Sequence, residues 1–149
     1  MVELLQVLEG LAYVGFIAGA IFAVLELRSI SKDRKLELLM RLMEKWNSRE
    51  FTAAMVNWVQ ADFRSAEMAE KTCPKADLVM MAEYFDWAAS LARNKLVSEG
   101  FVSGNLDFEF VWTRMKPWCL HWREQTAPGQ LNSFEWMANE KRTERQATG

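Results

Sequence analysis

Proline, glycine, cysteine and histidine are all scarce here, at three, seven, two and one among 149 residues. So few backbone breakers argue against a turn-rich sandwich or barrel, and against a disordered linker chain. Cys73 and Cys119 are too few and too far apart for a zinc motif. One disulfide is open to them, but two isolated thiols fit a reducing compartment better. With His121 as the lone imidazole, no repeated Glu-x-x-His pair exists to build a di-iron bundle. Gly-x-x-x-x-Gly-Lys-Ser/Thr and Gly-x-Ser-x-Gly are also missing.

A further absence is positional. No Lys or Arg precedes Arg28, and residues 11–25 (Leu-Ala-Tyr-Val-Gly-Phe-Ile-Ala-Gly-Ala-Ile-Phe-Ala-Val-Leu) carry no charge of either sign. That run covers roughly 22 Å as a helix, and extension to Leu4 and Leu27 reaches roughly 36 Å against a hydrocarbon layer of about 30 Å. A secretory leader would need a positive start, whereas the chain begins Met1-Val2-Glu3. The pattern therefore predicts a membrane anchor over 1–28, with the cationic side in the cytoplasm and the N-terminus outside. Arg28, Lys32, Arg34 and Lys35 would then contact anionic lipid of the inner leaflet.

What is abundant is helix-forming and bulky: seven Trp, nine Phe and nine Met, with many Leu, Ala and Glu. The expected fold is all-α, an N-terminal transmembrane helix followed by a compact cytoplasmic bundle of four to five helices. A juxtamembrane helix over 29–47 either continues the anchor or bends at Ser29-Ile30-Ser31. Leu36, Leu39, Met43 and Trp46 step by three, four and three, as in a core-facing stripe or a coiled-coil seam. The helical domain proper is expected over 48–140 and a frayed tail over 141–149. Asn47 with Glu50 and Asn132 with Glu135 are spaced as capping pairs. Residues 64–76 read as a connection, about 76–98 as a helix ended by Gly100, and Ser103-Gly104-Asn105 as a turn. Pro117 should kink or divide the helix that carries Trp112, Trp118 and Trp122.

Three groups of residues are candidates for function. Gly15, Gly19, Phe22 and Glu26 fall on one stripe of the span, where glycines let two helices pack closely. Chance spacing of glycines, with Glu26 reaching the interface, is the competing account. Trp112, Trp118 and Trp122 either line a groove for a partner or fill the core. Glu83 and Asp86, one turn apart, suit a polar face better than a metal site. Cys119 beside Arg123 would have a lowered pKa if exposed, but reads better as a small buried side chain. Residues 28–149 are near neutral at +1, too weakly basic to grip nucleic acid. No catalytic, cofactor-binding or metal-binding residue is expected, and no small-molecule substrate is indicated.

The run Ala-Ile-Phe-Ala-Val-Leu-Glu-Leu-Arg-Ser-Ile-Ser-Lys-Asp-Arg-Lys (20–35) and Glu44-Lys-Trp-Asn-Ser-Arg-Glu-Phe (44–51) resemble a known family, as do Lys116-Pro117-Trp118 and Phe134-Glu135-Trp136. It comprises small prokaryotic membrane-anchored proteins classed as a domain of unknown function. The resemblance implies one N-terminal span and a compact helical domain, and brings no activity or catalytic residue. The functional expectation is a membrane-anchored, non-enzymatic interaction module or accessory subunit, its partners being lipid and either itself or a larger membrane protein. A membrane-perturbing signalling or defence effector is the alternative, ahead of a tethered enzyme.

Overall fold

The computed structural model describes residues 25–26 and 31–148. Its contacts divide the chain into two units, Met1–Glu37 and Leu38–Gly149. Within the first, residues 31–37 are helical and exposed. The boundary falls inside the expected juxtamembrane segment. All regular structure among the described residues is helical, as the composition predicts. No helix among them is long and apolar enough to cross a membrane. The expected span, with Gly15, Gly19 and Phe22, lies outside the described residues, as does Arg28.

The second unit contains seven helices: α1 (38–46), α2 (Arg49–Gln60), α3 (Ala66–Thr72), α4 (Lys75–Arg93), α5 (Glu99–Asn105), α6 (Phe108–Gln125) and α7 (Asn132–Thr148). Four to five were expected. The extra ones are the two seven-residue helices, each started by a serine whose hydroxyl accepts an orphan backbone N–H. Ser65 accepts from Met68 and Ser98 from Phe101. α5 contains both Gly100 and Gly104, so Gly100 is not a terminator. Burial of Val102 outweighs their poor helix propensity. The real stop of α4 is Asn94-Lys95. Asn94 Nδ2 donates to the Ser90 carbonyl at 2.8 Å, and Lys95 takes a left-handed φ of 58°.

Other boundaries also differ from the sequence reading. Asn47 closes α1 through the Met43 carbonyl, while Ser48 caps α2 by accepting from Phe51 N–H. α6 runs as one helix through Pro117. The ring removes a donor, but buried Met115, Trp118 and Cys119 hold both sides of it to the core. α7 remains helical through Thr148 instead of fraying at 141.

α4 is the central element, packed on α2, α5 and α7, while α6 joins α7 and α3. Its buried face is Leu78, Met81, Ala82, Phe85, Ala88, Ala89 and Ala92, a helical period matching the sequence pattern. Phe85 touches Phe108 and Phe134 with ring centroids 5.2 Å away in each case, and Trp112 meets Phe134 edge-on at 5.0 Å. This cluster joins α4, α6 and α7, and such pairs add roughly 0.5–1.5 kcal/mol each beyond burial.

Polar groups fix the register. Asp86 of α4 accepts the Phe134 N–H at 2.9 Å and so caps α7 from another helix. Glu135 pairs with Arg123 of α6 at 2.9 Å, and Arg123 Nε donates to the Gln130 carbonyl. Asn132 and Glu135 therefore do not cap α7 as a pair, because Glu135 is committed elsewhere. Arg114 of α6 donates to the Val59 and Ala61 carbonyls at the end of α2 and lies over the Trp58 ring. Tyr84 donates to the Leu42 carbonyl at 3.1 Å, anchoring α1 to α4.

Candidate interaction surface

Because α4 buries one face under α2, α5 and α7, its opposite side is left as a surface of the bundle. Ala76, Val79, Met80, Glu83 and Trp87 recur there at steps of three and four. Lys45 from α1 and Trp122 from α6 flank them, enclosing a shallow depression of about 770 Å³. Trp87 is 37% exposed. Trp122 lies parallel to Trp118, with centroids 5.5 Å apart and planes at 14°.

Lys75 completes this arrangement. Its ammonium sits 5.2 Å from the Trp122 centroid and 3.4 Å from Glu70 Oε1. The same oxygen accepts the Trp118 indole N–H at 3.1 Å. The Trp122 ring is thus held between a buried indole and a cation, which orients it without side-chain rearrangement. The result is an apolar shelf of Val79, Met80, Trp87 and Trp122 beside Glu83 and two ammonium groups, Lys75 paired with Glu70 and Lys45 lying 3.9 Å from Glu50. Such a surface suits an apolar segment.

The three tryptophans singled out in the sequence do not line one groove. Trp112 and Trp118 are 1% and 0% exposed, because the α6 face that bears them packs on α7 and α3. Trp122, one turn beyond Trp118, alone reaches the surface. Trp87 was missed; its spacing of seven from Met80 along α4 was the available signal.

A second, smaller cavity of about 220 Å³ lies between α1, α4 and α5. Leu42, Trp46, Tyr84, Val102 and Leu106 line it, and the outward Met43 and Phe101 form part of its wall. The stripe Leu36-Leu39-Met43-Trp46 is not a single core face. Leu38, Leu39, Leu42 and Trp46 pack on the core, whereas Leu36, Met40 and Met43 are 58%, 61% and 53% exposed. Tyr84 and Trp46 already occupy the inward side, so α1 is turned with Leu42 beneath it.

The remaining polar candidates are structural. Glu83 faces the depression while Asp86 caps α7, so the two carboxylates do not converge. Both cysteines are buried and unpaired. Burial pushes the Cys73 thiol up to about 11 and that of Cys119 up to about 12, the attraction of Arg123 being the smaller effect. Neither is an activated nucleophile. His121 Nε2 lies 2.8 Å from Gln125 Nε2 of the same helix. No group of three or more His, Cys, Asp or Glu among the described residues is arranged to hold a metal. In the first unit, Glu26, Lys32, Arg34 and Lys35 are exposed.

A sequence family described as a domain of unknown function (DUF4760) matches residues 14–141. The chain belongs to this family, whose match covers most of the described bundle and most of the apolar run. No curated protein and no solved structure matches it.

Proposed function

We propose that this protein is a membrane-anchored, non-enzymatic interaction module, single-pass, with its N-terminal side outside and residues 28–149 in the cytoplasm. The uncharged run 11–25 and the confinement of every Lys and Arg to positions from Arg28 onward support the anchor and its direction. Arg28, Lys32, Arg34 and Lys35 contact anionic lipid of the inner leaflet, each worth roughly 1 kcal/mol before screening.

The observation that carries the interaction role is the outer face of α4. Met80, Trp87 and Trp122 form an oriented apolar shelf beside Lys45 and Lys75. The partner is a membrane protein, contacted by an apolar segment. Photocrosslinking from position 87 in native membranes should capture one defined membrane protein, and Trp122→Ala should reduce the yield at least fivefold. Equal capture from position 87 and from an exposed position on the far side, such as Thr143, would sink the reading. Alkaline carbonate extraction tests the anchor separately.

A further inference from the structure

We infer that the cavity between α1, α4 and α5 is a binding site for an uncharged ligand of two fused aromatic rings carrying one N–H or O–H donor. The cavity belongs wholly to the second unit. None of its lining residues is charged, so an ionised ligand would give up its hydration there without a counter-charge. Trp46, Tyr84 and Phe101 supply three ring walls, a setting in which a planar aromatic gains edge-on and offset contacts. Size narrows the choice. An apolar cavity of about 150 Å³ holds one benzene ring, and the volume of about 220 Å³ here leaves room for a second ring fused to it.

The inner wall is fixed by its own contacts. Tyr84 spends its hydroxyl hydrogen on the Leu42 carbonyl at 3.1 Å. Trp46 is wedged against Phe51, Tyr84 and Phe85, with ring centroids 5.1, 5.6 and 6.5 Å away. Both rings are held in place, so space persists where a close-packed core would otherwise shut.

The mouth supplies the polar contact. α1 and α5 each contribute an exposed apolar residue followed one turn later by an exposed asparagine, Met43 with Asn47 and Phe101 with Asn105. Asn47 Nδ2 donates to the Met43 carbonyl at 2.9 Å, and Asn105 Nδ2 to the Phe101 carbonyl at 2.7 Å. Those bonds set both amide planes and leave each Oδ1 as an acceptor at the rim, where the N–H or O–H of a ligand is matched. Met43 and Phe101 are 53% and 40% exposed, and a bound ring system covers that apolar surface.

The test titrates the full chain, labelled with carbon-13 at its methionine methyls and kept in mild detergent, with indole as the probe. The Met43 methyl signal should move and saturate with a Kd below about 1 mM, while that of the enclosed Met137 stays in place. Leu106→Trp fills the cavity and should weaken binding at least tenfold. Leu120→Trp, on the exposed side of α6, should leave it within twofold. Benzothiophene has the shape of indole without the donor. At equal free concentration it should bind the parent at least threefold more weakly, and Asn47→Ala/Asn105→Ala should abolish that preference.

A Met43 signal that never saturates, or equal shifts at Met43 and Met137, would overturn the inference. So would unchanged indole binding by Leu106→Trp, or equal affinity of the parent for the two probes. A parental Met137 signal identifies each variant as folded, and the asparagine pair tests the site without altering the core.

Discussion

Two sets of similar side chains have opposite fates in this molecule. Met81, Met115, Met137, Trp112 and Trp118 are fully enclosed, while Met40, Met43 and Trp87 face outward. Hydrophobicity is shared by both sets, so it does not separate them. Helix phase does: an apolar residue is buried only if its azimuth on the helix points at a neighbouring element. The enclosed set welds α4, α6 and α7 together. The outward set contributes little to folding and is free to be buried against something else.

The sharpest way to break this contrast is inside the enclosed set. Phe134 is fully buried and touches Phe85, Phe108 and Trp112. Phe134→Ala should cost about 3–5 kcal/mol, read as a lowered urea midpoint at unchanged slope. A loss below about 1 kcal/mol would mean that the cluster is not the centre of the fold.

Next in size is alkaline sensitivity, which the outward set does not share. Burial raises Cys73 from 9.0 to about 11, Cys119 from 9.0 to about 12, and Tyr84 from 10.0 to about 12. The unfolded chain therefore releases these protons first. Stability should be complete below pH 9 and fall progressively up to about pH 12. Denaturant titrations at pH 8, 9, 10 and 11 check this. The double variant Cys73→Ala/Cys119→Ala should decline less steeply than the parent, and an identical decline would assign the effect elsewhere.

Smaller effects sharpen the contrast. Asp86→Ala should cost about 1–2 kcal/mol by leaving the first turn of α7 without its cap, with amide exchange accelerating first at Phe134. The far half of α7 is held differently. Lys141 pairs with Glu99 at 3.1 Å, and Arg145 with Glu109 at 3.1 Å. Glu99→Gln should cost under about 1 kcal/mol and loosen only 141–148, an effect reduced by salt. Least of all, Met43→Ala and Trp87→Ala should shift stability by no more than about 0.5 kcal/mol. A loss above about 2 kcal/mol at either position would place it in the core and remove its surface role.

Helix type and the α4 core face were legible because Leu78, Met81, Phe85, Ala88 and Ala92 repeat at the helical period and have one packing solution. The short helices α3 and α5 were not, because seven residues give too few turns to reveal a period. Their starts depend on single serines. Among the candidate residues, Trp112, Trp118 and Trp122 were left between a partner groove and core filling; Trp112 and Trp118 are enclosed and Trp122 is partly buried. Nothing in a list of tryptophans says which side of α6 faces α7. Asp86 looked like half of a carboxylate pair because its true partner, an N–H 48 positions later, is local only in three dimensions.

The amino-acid sequence alone determined that this chain would be helical and that an uncharged run would precede all of its cations. Both are matters of residue type and short-range spacing. Tertiary packing alone decided which apolar residues are enclosed, which helix caps which, and which stripe of α1 is left outward. Those outcomes depend on the relative rotation of helices far apart in sequence, and local propensity carries no information about that angle.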